Sequence, residues 1–483
     1  MKQQRPKGRS TNYFARVFGL DLRSLALFRI ALSLFILYDL VSRAFDLTAH
    51  YTDAGTMPRT WAFQYFAAGP IYRLWNPAYL SVHFLTGSAL GTALLFLVNG
   101  LAAIGLLVGY RTRLMSILVW YFLASLQARN PLVLSVGDNA VLVLLFFSMF
   151  LPLGRRYAID SKTHAAADVA PLYASPAGAM YYLQFISIYF FSALLKSGPE
   201  WRTEGTALYY AFNIDQFALP AAKALLPHLE LLKVLTFAAW WVELLGGFLL
   251  LVPNAIGKLS GIFVIAGLQL WIGMTLALGH NPWVNTLTLL PFLPSIVWDR
   301  ANKPPVVSLE PPWRKHKWRE GVATFFFACV LIYNMAWLLP IHGLSDFLEF
   351  PVVAARLEQY WGMFAPSPNK DDGWFVVEGR LNNGSKVDAF HGTPDIKYEK
   401  PPSAADFYPN ERWRRYMMNI GTRDFKDFRL PFTQYLCSRW NASHSGAEHL
   451  QQVSVFFNRE VTPPPGQSPT VQKLLFFDYI CSQ

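Results

Sequence analysis

Lys196 stands where the apolar stretch from Met180 runs out, just before a Ser-Gly-Pro-Glu-Trp loop that ends at Trp201. A primary amine at the end of a nearly uncharged helix is either an anchor that reaches for the interface or a base kept ready by loss of water. Glu243, inside WWVELLGG, has no cation close in sequence, so at membrane depth it must be protonated or paired across helices. Gln269 can hydrogen-bond but carries no charge, and His280, in a Gly-His-Asn-Pro-Trp turn, titrates near neutrality when solvated. Arg29 and Asp39 lie in the first apolar stretch and should face other helices, with Arg43 one turn beyond Asp39 as its natural partner. There is no CxxC, HExxH, Walker loop, dinucleotide glycine fingerprint or nucleophile elbow. Metal and nucleotide chemistry therefore have no sequence support.

The elements that must position these groups are membrane helices. Of the 483 residues 53% are apolar and 15% charged, and the mean hydropathy is +0.25, too greasy for a soluble chain of this length. A span needs about 20 mostly apolar residues, and nine such stretches are predicted. They run Leu22–Val41, Val82–Val108, Leu114–Gln127, Ala140–Leu153, Met180–Leu195, Val234–Val252, Leu259–Leu278, Val284–Trp298 and Gly321–Leu339. The fold class expected is mainly α-helical membrane protein with a C-terminal extracytoplasmic β-rich domain. Residues 1–20 form a basic cytoplasmic N-terminus, 21–340 the polytopic domain and 341–483 the exported one.

Cations set the orientation. Lys2, Arg5, Lys7, Arg9, Arg16 and Arg23 precede or open the first span. Arg111 and Arg113, Arg155, Arg156 and Lys162, Lys258, and the run from Arg300 to Arg319 fill alternate loops. These loops read as cytoplasmic, and everything after Pro340 as exported. The net charge of +11 then reflects flanks facing anionic lipid rather than nucleic acid. The first apolar stretch lacks a cleavage site and should stay in the chain. Cys329 lies in the ninth span, while Cys437 and Cys481 fall in the exported tail, where an oxidising compartment would let them pair.

That tail alternates like strands: GWFVVEGRL and SKVDAF around Asn382-Asn383-Gly384, which suggests a type I′ hairpin, then VSVFFNREVT and VQKLLFFDYICS around a Pro-rich stretch. A helix is expected near Glu411 to Met418. WGMFAPSP, from Trp361 to Pro368, reads as a turn against the membrane surface.

Three segments together resemble the horizontally transferred transmembrane (HTTM) family, the vitamin K-dependent γ-glutamyl carboxylase-like proteins. They are DLRSLALFRIALSLFILYDLVSRAFDLTAHYTDAGTMPR with Tyr51, Asp53 and Gly55, GDNAVLVLLFFSMFLPLGRRYAID ending at Asp160, and LLKSGPEW with Lys196 and Trp201. The resemblance covers about residues 20–300. It implies that Lys196 is the base that deprotonates reduced vitamin K or another quinol, with Trp201, Glu243, Gln269 and His280 around the quinol. The quinol would then drive carboxylation of glutamate in a secreted peptide or protein, a lyase activity. Where the family carboxylase carries histidines, this chain places Arg155 and Gln269. Besides that enzyme, a non-catalytic maturation factor presenting its exported domain fits the sequence. A transporter fits less well, because no repeat halves and no span broken by Gly or Pro at midplane are apparent.

Overall fold

The computed structural model describes residues 13–68, 77–163, 172–299, 317–339, 346–403 and 407–481. The cations Lys2 to Arg9, most of the run from Arg300 to Lys315, and the expected boundary at Pro340 lie outside the described residues.

The chain is mainly helical, and among the described residues six helices are long and apolar enough to cross a membrane. Five are continuous: α1 (Leu22–Ala44), α2 (Ala89–Val108), α5 (Pro176–Leu195), α7 (Ala255–Thr275) and α9 (Lys317–Leu338). The sixth is α6 (Leu229–Leu245), which tightens at Gly246 into a 3-10 run over Gly246–Leu251. The pair Gly246 and Gly247, which weakens an α-helix, stands where the change begins. Between these lie α3 (Thr112–Arg129) and the shorter apolar α4 (Val136–Ser148). The chain is an integral multi-pass membrane protein.

The expected span Val284–Trp298 is not one helix. It is the short α8 (Asn281–Leu287) followed by 3-10 turns at Leu290–Phe292 and Ser295–Val297. Pro291 and Pro294 explain the break, since each lacks the amide that an α-helix would use there.

Helix starts follow local chemistry. Ser175 caps α5 through Gly178 and Pro176 opens it, while Ser135 and Asp138 form a reciprocal capping box on α4. The C-terminal region adds a four-stranded antiparallel sheet of β1 (Asp371–Leu381), β2 (Lys386–Asp388), β3 (Leu450–Val461) and β4 (Thr470–Ile480) in the order β2-β1-β3-β4. Its first turn differs from expectation. Asn382 and Asn383 keep negative φ and only Gly384 is left-handed, at 82°, as in a type I turn followed by a bulge.

Helix α11 (Arg429–Asn441) packs on the sheet, α10 (Glu411–Gly421) packs against the Pro131–Val133 turn of the bundle, and a disulfide joins Cys437 on α11 to Cys481 after β4. One continuous apolar cluster includes Phe28 and Phe147 of the bundle together with Tyr416, Val453 and Val455 of the C-terminal region. Burial of the side chains that leave water is worth about 1.5–3 kcal/mol each, and the cluster runs without a break from sheet to bundle.

Candidate functional site

Lys196 caps the C-terminal end of α5, and its side chain does not reach outward: the residue is 2% exposed. The ammonium lies 2.6 Å from Glu243 Oε2 on α6 and 2.7 Å from Ser192 Oγ one turn back, and Ser192 itself donates to Glu243 at 3.2 Å. Nζ sits 5.3 Å from the centre of the Trp201 ring. Glu243 therefore finds its partner across helices, as its isolation in sequence required.

The backbone around this pair is held as tightly as the pair. Arg202 Nε donates to the Lys196 carbonyl at 2.8 Å while its guanidinium lies 4.3 Å from the Trp240 ring. Trp240 Nε1 in turn donates to Ala193 O at 3.0 Å, so the unpaired carbonyls at the end of α5 are satisfied by side chains.

A strap from the C-terminal region closes over the loop. Trp201 Nε1 donates to Phe364 O at 2.9 Å, Gly198 N to Pro366 O at 2.9 Å and Ser367 Oγ to Glu200 at 2.6 Å. A Cβ on Gly198 would lie 1.9 Å from Ser367 Oγ, so the approach needs glycine. Burial alone would raise the Glu200 carboxyl, but hydrogen bonds from Lys370 and Ser367 hold it below the usual carboxylate range. The stretch WGMFAPSP, expected as a turn, thus closes over the loop that follows Lys196.

Gln269 stands one residue removed: its Nε2 lies 3.3 Å from Tyr189 Oη, a hydroxyl on α5 within electrostatic reach of Glu243. Arg155 is exposed in the turn after α4. His280 belongs elsewhere. Its Nε2 lies 3.6 Å from Asp138 and 3.5 Å from Ser135 Oγ.

Asp138 is the centre of a second buried group. Arg43 donates to Asp39 at 2.7 Å, to Asp138 at 2.5 Å and to Tyr51 Oη at 2.9 Å. Arg412, brought in by α10, donates to Asp138 at 2.6 Å, to Asp39 at 2.8 Å and to Val133 O at 3.0 Å. Two guanidinium groups and two carboxylates alternate, with all four residues buried. The N-cap of α10 aims Arg412: Asn410 accepts from the Arg412 and Trp413 amides and donates to Asp46, which also receives Trp413 Nε1.

Asp39, Asp138 and His280 could offer three ligand atoms within 4.8 Å of one another. A cation there would have to displace two guanidinium groups from the same oxygens, so the donor set suits an arginine lattice better than a metal. The motif residues Tyr51, Asp53 and Gly55 are joints of this region. Tyr51 receives Arg43, Asp53 holds Arg59 and Arg129, and a Cβ on Gly55 would strike Ala49 O.

Sequence reasoning found Lys196, Trp201 and Glu243 together but missed Ser192, Arg202 and the strap. Ser192 was within reach of a helical i, i+4 count from Lys196. Comparison with protein-family models, with curated proteins and with solved structures finds no match to this chain.

Proposed function

We propose that this protein is a membrane enzyme of the HTTM, vitamin K-dependent γ-glutamyl carboxylase-like kind, in which Lys196 takes a proton from a lipid-soluble quinol. The observation that carries this reading is the buried Lys196–Glu243 pair at 2.6 Å, beside the Trp201 ring and under a strap from the C-terminal region. A lone ammonium–carboxylate pair shielded from water can exchange its proton internally, and the amine becomes a base once Glu243 has taken that proton. The proton of the quinol hydroxyl then passes to the Lys196 nitrogen. Trp201 offers a flat face, and Gln269 with Tyr189 a hydrogen-bonding edge, for a ring entering between α5, α6 and α7. Reduced vitamin K or another quinol is the cofactor in this reading, and a secreted peptide or protein the second substrate.

The orientation proposed puts the N-terminus in the cytoplasm and the sheet outside. The Cys437–Cys481 disulfide supports it, since such bonds persist in oxidising compartments.

The test is oxidation of a naphthoquinol by purified protein. Lys196→Ala should lower turnover about 100-fold, the scale of a general base, and Glu243→Gln by a smaller factor. Unchanged turnover in Lys196→Ala removes the amine from the reaction. A second reading, a non-catalytic assembly factor, is favoured by the Arg412 lattice, which fixes the C-terminal region on the bundle. It expects no quinol turnover in the parent protein.

A further inference from the structure

An asparagine followed by glycine can be attacked by its own chain, because no side chain shields the next peptide nitrogen. The sequence has two such pairs, Asn99-Gly100 and Asn383-Gly384, and the fold sets them in opposite surroundings. Asn99 lies inside α2 and is fully buried. The helical hydrogen-bond ladder holds the amides of that stretch, so the Gly100 nitrogen cannot swing toward the Asn99 side chain.

Asn383 stands at the exposed tip between β1 and β2. Its Oδ1 accepts from Ser385 N at 2.9 Å, so the side chain arches over the Gly384 peptide. That donor also lies on the oxygen where negative charge grows if Cγ is attacked, which is how an oxyanion is favoured. Gly384 is left-handed at 82°, and a Cβ there would meet nothing within 4 Å, so the attacking peptide is unshielded. Its N–H donates to Leu381 O at 2.9 Å. This is one bond at a loop tip, where local opening costs little. The neighbouring Asn382 differs: its Nδ2 is tied to Gly446 O at 2.9 Å, and the residue after it is Asn383 rather than glycine.

We propose that Asn383 is a site of spontaneous deamidation in the folded protein. The Gly384 nitrogen loses its proton to hydroxide and bonds to Asn383 Cγ. The Cγ–Nδ2 bond then breaks, and Nδ2 leaves as ammonia after taking a proton from water, so hydroxide is restored and a five-membered succinimide remains. Water opens the ring. Cleavage between Cγ and the Gly384 nitrogen leaves aspartate, and cleavage at the main-chain carbonyl leaves isoaspartate, whose backbone is one carbon longer. No electron donor or acceptor takes part. Either product puts a new carboxylate in a turn that Asn383 N anchors on Ala447 O at 3.0 Å. The site is separate from the Lys196 pair and does not depend on the reaction proposed there.

The test keeps the full chain in detergent at mildly alkaline pH and follows both pairs by peptide mass spectrometry, which reads the mass gained when an amide becomes an acid. A sample unfolded in urea and dodecyl sulfate runs beside it, and a melting curve at each time point checks that the first stays folded. In the folded protein Asn383 should convert while Asn99 keeps its amide; in the unfolded one the two should convert at similar rates. Gly384→Ala, which crowds the attacking nitrogen, should slow Asn383 about tenfold in the unfolded sample, where the turn plays no part. A folded sample whose Asn383 stays an amide while the unfolded one converts overturns the site, because the turn then protects it. Asn99 converting as fast as Asn383 in the folded protein overturns selection by the fold. A rate unmoved by Gly384→Ala overturns attack by that nitrogen and leaves direct hydrolysis by water.

Discussion

Two of the places where the bundle holds charge away from water do so in different styles. Around Asp138, two arginines and two aspartates alternate so that each guanidinium bridges both carboxylates. At Lys196, one ammonium meets one carboxylate and one hydroxyl. Guanidinium is planar, forked and never deprotonated in proteins, so the first arrangement has a fixed geometry and a fixed charge. An ammonium is a point charge that can lose its proton, and its carboxylate can gain one. The first group suits holding two regions in register; the second, in the function proposed above, lets a proton move.

The difference predicts unequal damage. Asp138→Asn would leave Arg43 and Arg412 buried around a single carboxylate, and neither can neutralise itself. Its expected cost is about 3–5 kcal/mol, read as a large drop in thermal stability and in yield from detergent extracts. Arg412→Met should do less, because the excess carboxylate left behind can take up a proton. If Asp138→Asn proves no worse than Arg412→Met, the lattice is not held by fixed charge.

The Lys196 pair should respond in the opposite way. Lys196→Met leaves Glu243, which is able to protonate, so the loss should be about 1–2 kcal/mol. Adding Glu243→Leu should recover most of it, since a buried pair replaced by apolar groups of similar volume is close to neutral. A double variant clearly less stable than either single one would show that the pair serves the fold first.

How much of this could be read beforehand depended on distance along the chain. Apolar runs marked α1, α2, α5 and α7 because a bilayer demands length, and alternation marked β1, β3 and β4. Asp39 with Arg43 was legible because a helix brings i and i+4 together, and the solitude of Glu243 announced a partner without naming it. Arg412 was not legible: it lies 373 residues from Asp39, in a segment whose polar composition suggests a solvated helix. Only its burial against the bundle turns that arginine inward. The strap was hidden for the same reason, since backbone carbonyls such as Phe364 O and Pro366 O carry no sequence signal. The interrupted stretch after α8 was misread because its hydropathy outweighs Pro291 and Pro294 in any window average.

The smallest effect expected concerns acid and the margin of the lattice. His50 is buried, with its ring 4.4 Å from that of Trp413 on α10, and among the described residues neither ring nitrogen has a partner. Burial pushes its pKa from 6.5 down to about 4; Arg412 and Arg43 push the same way, and Asp46 opposes them. The folded-state value is thus depressed below the unfolded one. In the unfolded chain the imidazole takes a proton as pH falls through 6.5, while in the folded chain it resists until about 4. The stabilisation is complete above pH 6.5 and is lost progressively on acidification toward 4, by on the order of 1 kcal/mol at pH 5.5. Thermal unfolding at pH 7.5 and 5.5 should show that loss in the parent protein and a smaller one in His50→Phe, which keeps the ring against Trp413 but has nothing to titrate. The proton goes to a ring wedged between α10 and the bundle, so limited proteolysis at pH 5.5 should cut near Glu411–Gly421 before it cuts the loop that bears Lys196. Cleavage at the Lys196 loop first would mean that the lattice, despite its four charges, is not the weaker joint in acid.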